Sequence, residues 1–213
     1  SYQSLYLKTY FPLEFMVGVI NNFGGFYRTE FYCHEARMAG ARIEAPCVNR
    51  SHYLTHIYGK QIYLGLIHLK GLENSIGEEI PRERDRNGPY KSLSDFLERI
   101  PAGLEQTCIL IRINAFRFTG QPKRVLLWDA HFYFSKKRNN SPGRGIFDIS
   151  PRKFNFPELE TEAHENAFDE LELLGFPLCN PFDLMEPNDK ADTRACELTR
   201  MVGQEVCLAG YLI

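Results

Sequence analysis

The chain has 213 residues, 44% of them hydrophobic, and a formal net charge of −2 at pH 7. This length and apolar content support one sizeable core or two small ones, which excludes a disordered tail, and the near-neutral charge argues against a general polyanion-binding surface. No apolar run approaches the ~18 residues of a membrane span and the N-terminus lacks the basic-then-apolar order of a signal peptide, so we expect a cytoplasmic location and no membrane partner.

Three helices are predicted in the first fifth of the chain, over residues 1–10, 12–21 and 29–39. Pro12 suits the first helical position, Thr29 can cap the third helix, and Gly40 can close it in a left-handed conformation. The predicted apolar side of this third helix consists of Phe31, Ala36 and Ala39.

The next segment is predicted to change from strand to helix. The stretch from His52 to Leu66 is rich in strand-forming residues and has Gly59-Lys60 near its centre, which predicts a β-hairpin. Helix over 64–69, the turn Lys70-Gly71-Leu72 and a helix from Asn74 to about Arg84 then form a helix-turn-helix pattern. Gly77 and Pro81 are expected to shorten its second helix.

Helices are predicted to continue from residue 92 to residue 134. Ser92 and Asp95 form a capping-box-like start, and the following helix buries residues at i, i+3, i+4 and i+7, namely Leu93, Phe96, Leu97 and Ile100. A further helix covers about 104–116. Pro122 opens the next, whose core residues are predicted to be Val125, Trp128 and Phe132 rather than a nucleotide-stacking platform.

The last third of the chain combines a predicted long loop, over 135–157, with a helix that ends at Leu174-Gly175. Residues 205–213 alternate like the first strand of a β-domain.

Charge is uneven in the second half of the chain, because a basic tract precedes an acidic one. The basic tract consists of Arg117, Lys123, Arg124, Lys136, Lys137, Arg138, Arg144, Arg152 and Lys153. Carboxylates dominate residues 158–192, and we interpret the acidic helix there as a solvated face.

The six cysteines indicate neither a zinc knuckle nor a disulfide framework, because none forms a C-x-x-C pair. They are expected to be reduced and mostly buried, and they are Cys33, Cys47, Cys108, Cys179, Cys196 and Cys207. A metal held by Cys33, His34, Cys47 and His52 would need a ligand spacing that fits no common site. We therefore expect no metal and no cofactor in this chain.

Several blocks of residues, taken together, resemble the bacterial C-family DNA polymerases of the polymerase III α-subunit kind. Up to residue 51 the blocks are Leu7-Lys8, Tyr10, Pro12, Glu14-Phe15, Asn21-Asn22, Gly25-Phe26-Tyr27, Tyr32, Glu35-Ala36-Arg37, Gly40, Pro46, Val48-Asn49 and Ser51. Beyond Ser51 they are Leu64-Gly65-Leu66, Lys70-Gly71, the helix from Pro89 to Ile100, Ala115-Phe116 and Leu174-Gly175-Phe176. The resemblance therefore covers nearly the whole chain and weakens only between Ser135 and Pro157.

The resemblance implies a fragment of a DNA-directed DNA polymerase that supports template and primer binding in DNA replication. The parent would hold Mg²⁺ with aspartates of an upstream palm domain. The residues of this chain agree with a catalytic centre outside it, since they include no closely spaced acidic pair on a strand-and-turn pattern and no glycine-rich phosphate loop. We therefore expect no catalytic residue here.

The fold implied is mainly α with a small β-hairpin, a helix-hairpin-helix (SAM-like) region, and the first strand of a truncated β (OB-like) domain. The expected division is the end of the fingers at 1–50, the hairpin and helix-hairpin-helix region at 51–134, a basic linker at 135–157, an acidic helix and connector at 158–204, and the β-domain start at 205–213.

The resemblance places DNA contacts at the first hairpin, Lys70, Gly71, Leu72, Glu73 and Asn74, where backbone N–H groups meet phosphate. Glu73 stands where the family usually has glycine, and its carboxylate would repel a phosphate, so DNA contact and structural packing both stay open. Asn114 likewise replaces a glycine before Ala115-Phe116. Both departures resemble the error-prone, translesion relatives of the family.

Further contacts are expected from the basic residues outside the hairpin. Lys136, Lys137 and Arg138 would bind DNA without sequence preference, while Lys8 and Arg37 are either DNA or nucleotide contacts or members of structural ion pairs. Ile146-Phe147 lacks the glutamine of a sliding-clamp peptide, so a clamp contact and a self-anchoring loop are alternatives. Expected partners are duplex or primed DNA and other replisome or lesion-bypass proteins. The alternative functions are an error-prone translesion polymerase of the same family and a free-standing, non-catalytic DNA-binding helix-hairpin-helix module.

Overall fold

The computed structural model describes residues 2–139, 164–185 and 193–211, without the side chains of 137–139. The helices are α1 Tyr2–Tyr10, α2 Pro12–Asn21, α3 Thr29–Met38, α4 Asn74–Asn87, α5 Leu93–Arg99, α6 Leu104–Arg112, α7 Lys123–Asn139 and α8 Glu165–Leu173. The strands are β1 Arg42–Glu44, β2 His56–Tyr58 and β3 Gln61–Tyr63, and short 3-10 turns occupy Leu66–His68, Arg117–Thr119, Pro181–Leu184 and Ala195–Arg200. The predicted mainly helical class with a small β element is confirmed.

The small sheet has the order β1-β3-β2. The predicted hairpin is confirmed, since β2 and β3 pair antiparallel across a turn in which Gly59 has φ +63°. β1 adds a parallel strand beside β3, with Ile43 opposite Ile62. The sequence did not reveal β1, because three residues give no usable alternation and their partner lies well along the chain.

The helices α2 and α3 pack on this sheet through a small apolar cluster. Its buried members are Met16, Val17, Ala36, Ala41 and Ile62. Gly40 has φ +91°, as predicted for the residue that closes α3. Two expectations for α3 are wrong: Arg28, not Thr29, is the N-cap, without a side-chain cap, and Ala39 is exposed. The inward face instead uses Cys33 and Ala36, which are one helical turn apart.

The main core is built by α4, α5, α6 and α7, with contributions from α2, α3 and the end of α8. α4 runs to Asn87 despite an internal Pro81. Its far end is anchored because the buried guanidinium of Arg84 donates to the carbonyl oxygens of Val48 (3.1 Å) and Ser51 (2.7 Å). Such tertiary contacts offset the hydrogen bond that proline removes, so the predicted shortening does not occur.

The start and the face of α5 are as predicted. Ser92 Oγ accepts from the Asp95 backbone N–H at 3.1 Å, and the Asp95 carboxylate accepts from the Lys91 N–H at 2.8 Å. The four residues predicted to form the apolar face, Leu93, Phe96, Leu97 and Ile100, are all buried.

The predicted orientation of α7 is wrong. Leu126 and Ala130 are buried, whereas Trp128 is 48% and Phe132 40% exposed. Successive residues are about 100° apart around a helix axis, so Leu126 and Ala130 lie nearly opposite Trp128. The side with Leu126 and Ala130 faces the core. α7 also continues to Asn139, into the segment predicted to be a loop. The remainder of that loop, 140–157, lies outside the described residues.

Helix α8 is not the solvated helix that its acidic composition predicted. Ala167 and Leu173 are buried and its carboxylates face basic residues of α6 and α7. Gly175 closes it with φ +95°.

The predicted closing strand is absent from residues 205–211, which have no strand partner within the described residues; residues 212–213 lie outside them. The core combines residues from the predicted 1–50 and 51–134 segments, and the domain boundaries stay a prediction.

The cysteines are free, but the expectation that most are buried is wrong. Cys33 and Cys47 are buried, whereas Cys179, Cys196 and Cys207 are exposed. The exposed three follow α8, in a part of the chain that contributes little to the core. Within the described residues, no helix is both long and apolar enough to cross a membrane.

Candidate nucleic-acid interface

The first hairpin joins the 3-10 turn at Leu66–His68 to α4 and exposes most of the residues predicted to meet DNA. Gly71 has φ +81°, and a Cβ added there would lie 3.2 Å from Ile109 Cδ1. A left-handed backbone and a close neighbour both favour glycine at this position. Lys70, Gly71, Glu73 and Asn74 are exposed, while the partly buried Leu72 packs against the core.

Gln106 of α6 holds this turn from beneath. Its Oε1 accepts from the Glu73 N–H at 2.7 Å, and its Nε2 donates to the Gly71 carbonyl oxygen at 3.0 Å. The side chain is only 7% exposed, so both bonds lie in a protected environment. Sequence reasoning missed Gln106; the available signal was a polar residue on the buried side of an amphipathic helix.

The end of α8 holds the same turn from the other side. The Lys70 backbone N–H donates to the Leu173 carbonyl oxygen at 2.8 Å. Two separate helices therefore fix the backbone of the hairpin. The exposed side chain of Lys70 extends over Gly175 at the end of α8, where a Cβ would lie 3.2 Å from its Nζ. Within the described residues Lys70 has no ion pair.

The hairpin leads directly into the N-terminus of α4. The first backbone N–H groups of a helix have no intrahelical partner and carry the positive end of its dipole. Those of α4 begin at the exposed Asn74, directly after the N-cap Glu73. Glu73 is the N-cap with φ −65°, a conformation that does not require glycine. Its effect on the site is therefore the charge of its carboxylate and not a distorted turn.

Lys8 and Arg37 both have partners inside the protein. Lys8 Nζ lies 3.6 Å from a carboxylate oxygen of Glu35. The Arg37 guanidinium donates to the Leu178 carbonyl oxygen at 2.6 Å, which ties α3 to the segment after α8. Neither residue lies in the hairpin. The Lys8 contact is an ion pair, whereas that of Arg37 is a hydrogen bond to a backbone carbonyl, so the roles of both residues in DNA binding stay predictions.

The start of the basic tract is occupied by internal partners. The Arg117 guanidinium donates to the carbonyl oxygens of Ala45 (2.9 Å) and Pro46 (3.1 Å). Lys123 Nζ lies 2.8 Å from Asp169 Oδ2, and Arg124 lies 3.6 Å from a carboxylate oxygen of Glu165.

The second half of the tract is described only in part. Lys136 is exposed on α7. Lys137 and Arg138 belong to the same helix, with side chains outside the described residues, and Arg144, Arg152 and Lys153 lie outside them altogether.

Arg112 completes the contact between α8 and the basic helices. Its Nε donates to Asp169 Oδ1 at 2.8 Å, and its terminal nitrogens donate to both carboxylate oxygens of Glu172. These bonds, to Glu172 first and Asp169 second, raise the pKa of the guanidinium, and Arg112 in turn lowers the pKa of Glu172. The carboxylates of α8 thus pair with Arg112 and with two cations of the basic tract, Lys123 and Arg124.

The second hairpin, at Asn114, also adopts a glycine-like backbone. Asn114 has φ +61°, and asparagine is one of the few residues that tolerate this region. This turn ends α6 at Arg112, earlier than predicted.

No group of three or more His, Cys, Asp or Glu side chains suited to a metal occurs among the described residues.

Comparison with known proteins matches the chain to a helix-hairpin-helix motif family over residues 40–126. The chain is 30% identical over 190 residues to DNA polymerase III subunit alpha of Treponema pallidum, and the match covers 83% of this chain and 16% of that protein. Identity to DNA polymerase III subunit alpha of Thermus aquaticus is 36% over 158 residues, covering 69% of this chain and 13% of that protein.

An error-prone DNA polymerase of Mycolicibacterium paratuberculosis is 28% identical over 165 residues, covering 76% of this chain and 15% of that protein. The chain thus spans 16% or less of the length of these relatives. The family resemblance expected from the sequence is confirmed. The chain belongs to the bacterial DNA polymerase III α-subunit family and contains its helix-hairpin-helix region.

Proposed function

We propose that this chain is the part of a DNA-directed DNA polymerase that holds template and primer DNA during replication. The parent polymerase would carry the catalytic palm and its Mg²⁺ ions, and nucleotidyl transfer would occur there. The residues of this chain would position the duplex and contribute no catalytic group.

The observation that carries this proposal is the construction of the first hairpin. Gln106 and the Leu173 carbonyl fix its backbone, Lys70 is exposed beside it, and the α4 N-terminus opens at its edge. Backbone N–H groups, one lysine and a helix dipole bind a phosphate without reading the base. Binding of duplex or primed DNA at Lys70, Gly71, Leu72, Glu73 and Asn74 would therefore be independent of sequence.

The second half of the basic tract would extend this contact. Lys136 is exposed on α7, and Lys137 and Arg138 follow it in the same helix. Clustered cations release counterions from DNA, so affinity falls steeply with salt. Other replisome or lesion-bypass proteins would contact the parent polymerase.

The replicative role is preferred to the error-prone one. Identity reaches 36% and 30% with the two replicative subunits and 28% with the error-prone enzyme. A free-standing module is not favoured, because similarity extends over 83% of the chain and well beyond the helix-hairpin-helix motif.

Two assays on the purified chain test the proposal. Fluorescence anisotropy with a labelled duplex should show weak binding that is equal for unrelated sequences and declines linearly in log affinity against log salt. Primer extension with Mg²⁺ and deoxynucleotides should give no product. Salt-independent binding, or extension by a contaminant-free sample, would contradict it.

Charge reversal on α7 tests the second contact. The double variant Lys136→Glu, Lys137→Glu should weaken binding by a similar factor for every duplex sequence, because phosphate contacts carry no sequence information. The double variant Lys136→Gln, Lys137→Gln should fall between it and the wild type. An unchanged affinity in both would remove α7 from the interface.

A further inference from the structure

A cavity of about 270 Å³ lies beside the first hairpin, between the end of α2 and the end of α8. Phe23, His68 and Lys70 line it together with the apolar side chains of Leu174 and Phe176. Pockets for drug-sized ligands measure roughly 300–1,000 Å³, so this cavity suits one small ring system. Lys70 belongs both to the cavity and to the proposed phosphate contact.

Phe23 presents its ring at this cavity from a fixed loop. The ring is 61% exposed, although the residue has φ +59°, a conformation that is costly for a phenylalanine and persists only where the surroundings impose it. The Phe23 and Gly24 N–H groups donate to the Ile20 and Val19 carbonyls, each at 2.9 Å. An exposed aromatic ring on a constrained backbone is the form that a stacking platform takes.

His68 forms the inner wall. Its ring centroid lies 5.6 Å from that of Phe23, at an interplanar angle of 69°, and its Nε2 lies 3.1 Å from Thr55 Oγ1. Burial lowers the pKa of His68 to about 4, so the imidazole is neutral at pH 7. The wall is therefore aromatic and uncharged, while the rim carries the cation of Lys70.

From this juxtaposition we infer that the cavity receives one unpaired nucleobase of DNA that is bound at the hairpin, with the base against Phe23 and the adjoining phosphate at Lys70. The inference rests on the proposed function, since the hairpin must hold the backbone. A paired base is stacked inside the duplex and cannot enter, whereas an unpaired base leaves the stack at lower cost. The site would thus distinguish a bulged or single-stranded base from a continuous duplex.

Three duplexes of equal length test this inference by fluorescence anisotropy: one fully paired, one with a single bulged 2-aminopurine, and one with an abasic residue at the bulge. The abasic duplex has the same backbone charge and bend site but lacks the base. We expect the 2-aminopurine bulge to bind about tenfold more tightly than the abasic one, since stacking of one base on an aromatic ring strengthens binding by roughly that factor. Its emission should fall on binding.

Phe23→Ala should abolish both the tenfold preference and the emission change while the fully paired duplex binds as before. Phe26→Ala is the matched control, because Phe26 lies in the same loop, is 93% exposed and does not line the cavity. Circular dichroism would establish that both variants fold. Lys70→Ala should weaken binding of all three duplexes.

Equal affinity of the wild type for the base-containing and abasic bulges would overturn the inference but leave the proposed function intact. So would a preference that survives Phe23→Ala, or one that Phe26→Ala removes equally. The proposed function would instead fail if the fully paired duplex showed no salt-dependent binding. No binding of any duplex would overturn both.

Discussion

The first hairpin and the start of the basic tract contain similar cations that the fold treats in opposite ways. At the hairpin, Lys70 is exposed and has no ion pair within the part of the chain that the structure describes. At the tract, Lys123 and Arg124 are paired with carboxylates of α8. Charge counted along a sequence therefore does not show which cations the fold leaves available for a phosphate.

The two regions also differ in what supports them. The hairpin backbone is held by hydrogen bonds to Gln106 and Leu173. Just before the hairpin, the side chain of His68 is bonded to Thr55. The acidic helix α8 rests on ion pairs made by Glu165, Asp169 and Glu172. Because these three lie at i, i+4 and i+7, they share one face of α8. Different perturbations should thus weaken the two regions separately.

Removing the central carboxylate of α8 should have the largest effect. Asp169 is paired with both Arg112 and Lys123, and the side chains of Asp169 and Lys123 are only 13% and 11% exposed. Asp169→Ala leaves Lys123 mostly buried without its partner, so we expect the free energy of unfolding to fall by about 3 kcal/mol. Urea denaturation at pH 7 measures this loss.

Glu165→Gln is the control for that substitution. The pair of Glu165 with Arg124 is longer, at 3.6 Å, and more exposed, so its loss should cost under about 1 kcal/mol. Equal losses for the two variants would mean that α8 is not held mainly through Asp169.

Lowering the pH should reduce the free energy of unfolding through His68, which lies next to the hairpin. Burial lowers the pKa of His68 to about 4, from an ordinary 6.5. The folded state therefore binds this proton less readily than the unfolded state, and the stabilisation present above pH 6.5 is lost as pH falls towards 4. We expect His68 to account for about 2 kcal/mol of lost stability between pH 7.5 and pH 4.5.

That contribution is obtained by comparing the wild type with His68→Gln in urea denaturation at several pH values. As the pH falls, the unfolding free energy of the wild type should decrease more than that of His68→Gln. His34→Gln, an exposed histidine on α3, should keep the wild-type pH profile. A pH-independent difference for His68→Gln would show that the imidazole is not buried in its neutral form.

Glu73 offers a smaller change at the hairpin itself. Glu73→Gln removes the charge beside the proposed phosphate and keeps the N-cap backbone, so DNA affinity at low salt should rise several-fold. Glu73→Gly should tighten binding as well but lose up to ~1 kcal/mol of stability through added chain entropy. No gain in affinity for either variant would assign this turn to packing alone.

Local chemistry made much of the fold predictable. The Ser92 cap and the buried face of α5 follow from residues close in sequence, as do the β2–β3 hairpin at Gly59 and the glycine turn at Gly71. What could not be predicted depends on distant partners. β1 exists because β3 lies beside it, the orientation of α7 is set by α6, and Pro81 is tolerated because Arg84 reaches Val48.

The candidate site divides in the same way. The turn at Lys70-Gly71-Leu72 before a helix from Asn74 was predictable from the residues, and the resemblance to the polymerase family identified it as a DNA-binding hairpin. Gln106 lies far along the chain and only the fold brings it beneath Gly71. The pairing of α8 with the basic tract was similarly hidden, although the spacing of Glu165, Asp169 and Glu172 on one helical face was a signal that a composition count overlooks.

The most direct test compares the salt dependence of DNA binding for two single variants, Lys70→Ala and Arg124→Ala. Each removes one cation, from the hairpin and from the paired tract respectively. We expect Lys70→Ala to weaken binding and reduce the slope of log affinity against log salt by about 1, and Arg124→Ala to leave the slope unchanged. An unchanged slope for Lys70→Ala together with a reduced one for Arg124→Ala would contradict the division between the two regions.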